Sequence, residues 1–236
     1  MLRSLGGKTM VDIYIRQLVE WMNQHRNEEN AKAMKKYMRD QFDFLGIRSP
    51  QRNALLREFL KEHGKPRLEE LPQMVLALWE LPEREFQYIA LTLLEKEVKK
   101  LSDEHLPLAE TLVVTKSWWD TVDPLSTNII GTILKKHPKW IEHYTRKWIQ
   151  SDHMWLQRTA ILFQLKYKKE TDEQLLYQYI RMCKDSREFF IQKAIGWALR
   201  EYSKTNPESL ISFVESEHLA PLSKREALKI IEKHES

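Results

Sequence analysis

Apolar residues recur at three- and four-residue intervals along nearly the whole chain, the spacing that lines one face of an α-helix. The pattern runs through residues 11–24, 30–42, 51–63, 74–80, 84–101 and 106–114. It continues through residues 124–136, 140–150, 155–167, 173–184, 189–202 and 224–233. Breaks fall at Leu45-Gly46, Gly64-Lys65-Pro66, Leu81-Pro82, His137-Pro138, Asn206-Pro207 and Ala220-Pro221. Each break joins a helix stop to a helix start. No segment alternates with period two, and no Asn-Gly or Asp-Gly turn marks a hairpin. The pattern predicts an all-α protein of about a dozen helices.

The helices also repeat. Phe86 in EFQYIAL, Trp119 in WWDTV, Trp155 in MWLQRTAI and Phe190 in FFIQKAI stand 33, 36 and 35 residues apart. Gln51-Arg52 precedes the first of these by 35 residues, and Lys224-Arg225 follows the last by 34. A period of this length predicts stacked two-helix units, a curved α-solenoid with a concave inner wall. An irregular helical bundle is the competing architecture, because the likeness is close only between residues 155–160 and 190–195. In a solenoid, equivalent positions line up, which would bring the neighbourhoods of Trp119, Arg158 and Trp197 to one patch.

Composition narrows the class. A chain of 236 residues needs no disulfide or metal staple to build a core. No apolar run approaches the roughly 18 residues a membrane span requires, and MLRSLGGKTM lacks the apolar stretch of a secretory signal. The single cysteine, Cys183, excludes an internal disulfide and a cysteine metal cage, and no two of the eight histidines stand four residues apart. These features predict a cytoplasmic protein with no cofactor, no metal and no membrane partner, and nothing in the sequence demands a dimer. The net charge is +4, but between Lys135 and Lys204 fifteen Lys and Arg face eight Asp and Glu, so the rest of the chain carries −3. A basic C-terminal half predicts a polyanion seated on one surface, although lysines solvating outer helix faces give the same totals.

Candidate chemistry gathers in TKSWWDTVDP, residues 115–124. Trp119 and Asp123 are four residues apart, so a helix points an indole and a carboxylate the same way. Asp120 lies about 100° round the helix from Trp119 and reads as a bracing or capping aspartate. Pro124 favours a helix start, which predicts Asp123 as an N-cap. Arg158 and Trp197 add a cation and a further aromatic. Trp118, Trp140, Trp148 and Trp155 read as core residues. Aromatic faces, a carboxylate and a guanidinium suit a cationic or base-like ligand on a phosphate backbone. A cationic base leaves a sugar without protonation, so a carboxylate need only steady the oxocarbenium-like sugar and hold a water. Indole faces attract the same positive charge, and Arg158 suits a bidentate phosphate clamp, or alternatively a brace for the next repeat.

These residues are similar to those of the AlkD-type DNA alkylation-repair glycosylases with HEAT-like repeats. The matching stretches are YMRDQFDFLGIRSPQR, LWELPEREFQ, TKSWWDTVD, HPKWIEHYTRKWIQSD, WLQRTAILFQLKYK, REFFIQKAIGWALREYSKTNP and LAPLSKREALK, which run from Tyr37 to Lys229 within a resemblance that covers nearly everything from Val11 to about Lys233. The resemblance implies a single HEAT-like repeat domain over residues 11–236, preceded by an N-terminal extension, residues 1–10, expected to be disordered, with Met10 an alternative start. It implies excision of N3- and N7-alkylated purines from duplex DNA, without deep extrusion of the base. It matches the family's catalytic carboxylate to Asp123, its flanking tryptophans to Trp119 and Trp197, and its site arginine to Arg158. Lys166, Lys168, Lys193, Arg200 and the helix start at Ser223-Lys224-Arg225 are candidate phosphate ligands that position DNA without reading its sequence. No candidate lysine nucleophile is visible, so cationic lesions are the expected substrates and an abasic site in an intact strand the expected product. A noncatalytic binder of bent or branched DNA and a protein-interaction scaffold are the other classes considered. The scaffold predicts an apolar groove and no salt-dependent affinity for DNA.

Overall fold

The computed structural model describes residues 9–235, which form helices joined by short turns. The chain forms two compact units, the first ending at Glu97 and the second starting at Val98. The expected N-terminal extension lies outside the described residues apart from Thr9 and Met10. Thr9 caps the first helix through a reciprocal box with Asp12, satisfying donors that a helix start leaves open.

The first unit holds α1 (Met10–Asn23), α2 (Glu28–Tyr37), α3 (Ser49–His63), α4 (Leu71–Glu80) and α5 (Arg84–Glu97). Asn27 caps α2, Pro50 sits in the first turn of α3, and Gly64 ends α3 at φ 82°. Leu18, Met22, Phe59, Val75, Leu78 and Ile89 form its core with no appreciable exposure. Two buried polar side chains act as internal caps. Glu85 accepts from the amides of Leu45, Gly46 and Ile47 at 2.9, 2.8 and 3.2 Å. Gln87 donates to the carbonyls of Leu78, Trp79 and Leu81 at the end of α4. Gly46 is obligatory here: its φ is +89°, and a Cβ would stand 1.9 Å from the Asn27 carbonyl oxygen.

The second unit contains α6 (Leu106–Val114), α7 (Trp119–Pro124), α8 (Gly131–Lys136), α9 (Ile141–Gln150) and α10 (Met154–Leu162). It continues with α11 (Glu173–Cys183), α12 (Phe189–Ser203), α13 (Pro207–Ser216), α14 (Pro221–Leu228) and α15 (Ile231–Glu235). Its polar contacts recur with the period of the sequence. Ser126 donates to Thr159, Thr145 pairs with Tyr179, Tyr167 donates to Gly131 and Ser223 to Gln192, at separations of 33, 34, 36 and 31 residues. Each repeat is thus bonded to the next at corresponding positions, which is the stacking of an α-solenoid. Leu112, Val122, Leu134, Trp148, Leu162 and Leu199 fill the interior between the layers.

Between α7 and α8 the backbone does not break at Pro124. It continues as a π-helical segment, Leu125–Ile130. Proline supplies no N–H to the preceding turn, and a wider turn accommodates the missing bond. Hydroxyls take up carbonyls of the same stretch: Thr127 donates to Asp123 O at 2.9 Å and Thr132 to Asn128 O at 2.6 Å. Among the described residues, no helix is long and apolar enough to cross a membrane.

Candidate active site

Asp123 lies inside α7 rather than at a helix start. The N-cap of that helix is Trp118, so the N-cap expected from Pro124 does not form, because the π-turn lets the helix run through the proline. Trp119 is the first residue of the same helix, one turn before Asp123, and the four-residue alignment of indole and carboxylate is kept.

The carboxylate of Asp123 is bound by Arg158. The Asp123 Oδ1 accepts from Arg158 Nε at 2.8 Å and Oδ2 from Nη2 at 3.0 Å, a bidentate fork across two repeats. The remaining Arg158 nitrogen, Nη1, donates to the Phe190 carbonyl at 2.5 Å, and the guanidinium carbon lies 5.8 Å from the centre of the Phe190 ring. The Arg158 side chain is 5% exposed and that of Asp123 17%. The guanidinium is therefore committed inside the protein, joining α7 to the start of α12. The brace weighed for it from the sequence is present, and it uses three of the five N–H donors of the guanidinium.

This placement gives Asp123 opposing electrostatic pressures. Burial pushes its carboxyl above the usual aspartate value. The hydrogen bonds and charge of Arg158 pull it back, and the neighbouring charge of Asp120 adds to the rise. Each carboxylate oxygen spends one lone pair on Arg158 and keeps another. The result is a fixed anion with acceptor capacity left over and little water around it.

The aromatic surroundings come from three successive repeats. Trp118 meets Phe190 edge-on at 5.1 Å and Trp155 at 5.9 Å, and Trp155 lies 4.9 Å from Phe190. Trp155 and Trp148 are buried, as expected of core residues, whereas Trp118 and Trp140 are half-buried. Trp140 donates to Asp103 at 2.6 Å. Trp197 lies on α12 two turns beyond Phe190, half-buried. The helix carrying Asp123 packs on α10, and α10 packs on α12, but no hydrogen bond joins Trp197 to Asp123 or Arg158.

The basic residues sort into three groups. Lys193 and Arg200 both converge on Glu226, at 3.6 and 2.8 Å. Lys166 bonds the Asn128 side-chain oxygen, and Lys168, at φ 53°, lies exposed in the turn after α10. Lys224 and Arg225 are exposed on α14. That helix starts at Pro221, not at Ser223, and Ser223 is buried with its hydroxyl donating to Gln192 O. The expected anion-binding helix start at Ser223 is thus replaced by an inward anchor, because proline two residues earlier opens the helix. The Glu226 hub was missed in the sequence: Arg200 stands 26 residues before it, off the repeat period, although Lys193 precedes it by 33, one period. No group of three or more metal-binding side chains occurs among the described residues.

A family model described as DNA alkylation repair enzyme matches residues 18–231. A solved structure described as a predicted DNA alkylation repair enzyme from Enterococcus faecalis is similar to the chain, with a TM-score of 0.82 and 36% identity. The match covers 88% of this chain and 97% of that one. No curated protein matches.

Proposed function

Because the chain belongs to the DNA alkylation repair enzyme family, we propose that it repairs alkylated DNA as a glycosylase. It hydrolyses the N-glycosidic bond of cationic N3- and N7-alkylated purines in duplex DNA, with Asp123, Trp119, Trp197 and Arg158 as the working residues. The observation that carries this reading is the Asp123–Arg158 fork, a half-buried carboxylate held rigid with spare lone pairs.

Alkylation at N7 of guanine or N3 of adenine gives the base a positive charge, so it departs without a proton donor. The sugar left behind gains positive charge as the bond lengthens. A fixed carboxylate at about 4 Å stabilises that charge by roughly 4 kcal/mol at an effective dielectric near 20, about a thousandfold in rate. Its free lone pairs hold the attacking water. Arg158 contributes by positioning Asp123 and keeping it ionised against burial. Trp119 and Trp197 offer indole faces that attract the developing cation and exclude solvent. Lys166, Lys168, Lys224 and Arg225 are proposed to contact phosphates, since their charges face solvent; Lys193 and Arg200 can do so only by sharing with Glu226.

Duplex substrates carrying one lesion each test the reaction class. The expected result is release of 7-methylguanine and 3-methyladenine, no release of uracil or 1,N6-ethenoadenine, and an uncut strand at the abasic site. Release of a neutral base at a comparable rate would mean that a general acid is present and that the base does not leave by virtue of its own charge.

A further inference from the structure

A cavity of about 610 Å³ opens in the second unit, lined from the end of α8, α10, the turn after it, α11 and the C-terminal half of α12. None of Asp123, Arg158, Trp119 or Trp197 lines it. Five lysines line it, Lys135, Lys166, Lys168, Lys169 and Lys204, against two glutamates, Glu170 and Glu201. The glutamates are already taken: Glu170 pairs with Lys135 at 2.5 Å and Glu201 with Lys204 at 2.8 Å. Lys166 bonds the neutral Asn128 oxygen. Lys168 and Lys169 are exposed and engage no side-chain partner among the described residues. Three positive charges at the mouth are therefore left uncompensated, and Lys168 is held in a left-handed conformation, φ 53°, that a lysine adopts only under constraint.

Apolar side chains also line the cavity. Leu165, Leu176 and Ala198 line it beside the ring of Tyr202. The Tyr202 hydroxyl is fixed by donating to Glu173 at 2.6 Å, which holds its ring in place. A cationic rim over an apolar and aromatic wall calls for a ligand with an anionic end and a flat apolar body. Phosphate alone would leave the wall uncovered, and a purely apolar ligand would bury uncompensated ammonium groups. The volume lies within the range of about 300–1,000 Å³ used for small organic ligands.

We propose that this cavity is a second site, distinct from the Asp123 centre, that binds one nucleotide. The phosphate sits on Lys166, Lys168 and Lys169, and the base lies against Leu165, Leu176 and Tyr202. The nucleotide is a free mononucleotide, because a DNA strand on these lysines would only repeat the phosphate contacts already proposed for the glycosylase. Occupancy of this cavity does not depend on the glycosylase reading.

Calorimetric titration of the full chain separates the outcomes without any activity measurement. The titrants are 2′-deoxyadenosine 5′-monophosphate, deoxyadenosine, inorganic phosphate and a short unmodified single-stranded oligonucleotide. The variants are Lys168→Gln/Lys169→Gln, both at exposed positions where the change leaves the core untouched, and Asp123→Asn. If the site takes a free nucleotide, the monophosphate binds, deoxyadenosine and phosphate bind far more weakly, and the lysine variant loses affinity by about tenfold or more. Asp123→Asn binds the monophosphate as wild type does. The proposal is overturned if no titrant binds, if only the oligonucleotide binds, if the lysine variant does not weaken the monophosphate, if phosphate binds as well as the monophosphate, or if Asp123→Asn weakens binding as much as the lysine variant does.

Discussion

Replacing Arg158 by Met strands the Asp123 carboxylate in a site where its side chain is only 17% exposed. Two hydrogen bonds of 2.8 and 3.0 Å vanish, and so does the bond from Arg158 to the Phe190 carbonyl. Removing one partner of a buried ion pair costs about 3–5 kcal/mol. The orphaned carbonyl adds about 1–3 kcal/mol. Asp123→Asn removes the stranded charge while keeping the side-chain shape, so the double variant Asp123→Asn/Arg158→Met retains only the carbonyl and cavity terms. The two single losses should therefore exceed the double loss by about 2 kcal/mol or more, a coupling well above the ~0.5 kcal/mol scatter of independent sites. Urea denaturation of the four proteins at neutral pH measures it. Burial already raises the Asp123 carboxyl despite Arg158, so in Arg158→Met the group takes up a proton in the folded state at a higher pH than in the unfolded chain. Stability of that variant then falls as pH rises through this window and recovers on acidification. Additive single losses, or an Arg158→Met variant whose deficit is the same at pH 5 and pH 8, would refute the claim that the fork exists to hold a buried anion.

Two further outcomes follow from the same geometry. Trp119→Ala and Trp197→Ala should each slow base release by about 2–30-fold under single-turnover conditions, the range expected for loss of a cation–π contact; an unchanged rate in both would remove the indoles from the reaction. Base release should fade on acidification as Asp123 protonates, and because burial raises that carboxyl, the acid limb should lie above the range of an exposed aspartate; a limb at or below that range would contradict the role given to burial.

Much of the helical layout was legible because each helix buries one stripe, and Gly or Pro marks most joints. The repeat was legible too, and it held the central contact: Arg158 follows Asp123 by 35 residues, one period of the anchors. That spacing makes the two residues equivalents in neighbouring repeats, the relation in which a stacked pair meets. The direction of the arginine was not readable, since a guanidinium serves a phosphate or an internal carbonyl equally well, and only the Phe190 carbonyl decides. Pro124 misled for a physical reason. A proline normally opens a helix, but here the chain runs through it and continues as a π-helical segment, Leu125–Ile130. The basic patch was visible as a charge excess. Its division into lysines neutralised by Glu226, Glu170 and Glu201 and lysines left open depends on side-chain positions that charge counting does not contain.

The most direct test of the central claim is single-turnover release of 7-methylguanine from methylated duplex DNA by wild type and Asp123→Asn, with DNA affinity measured for both. Wild type is expected to release the base, and Asp123→Asn to bind DNA with similar affinity while releasing it about a thousandfold more slowly. An Asp123→Asn protein that is folded, binds DNA and releases the base at the wild-type rate would contradict the role assigned to the carboxylate.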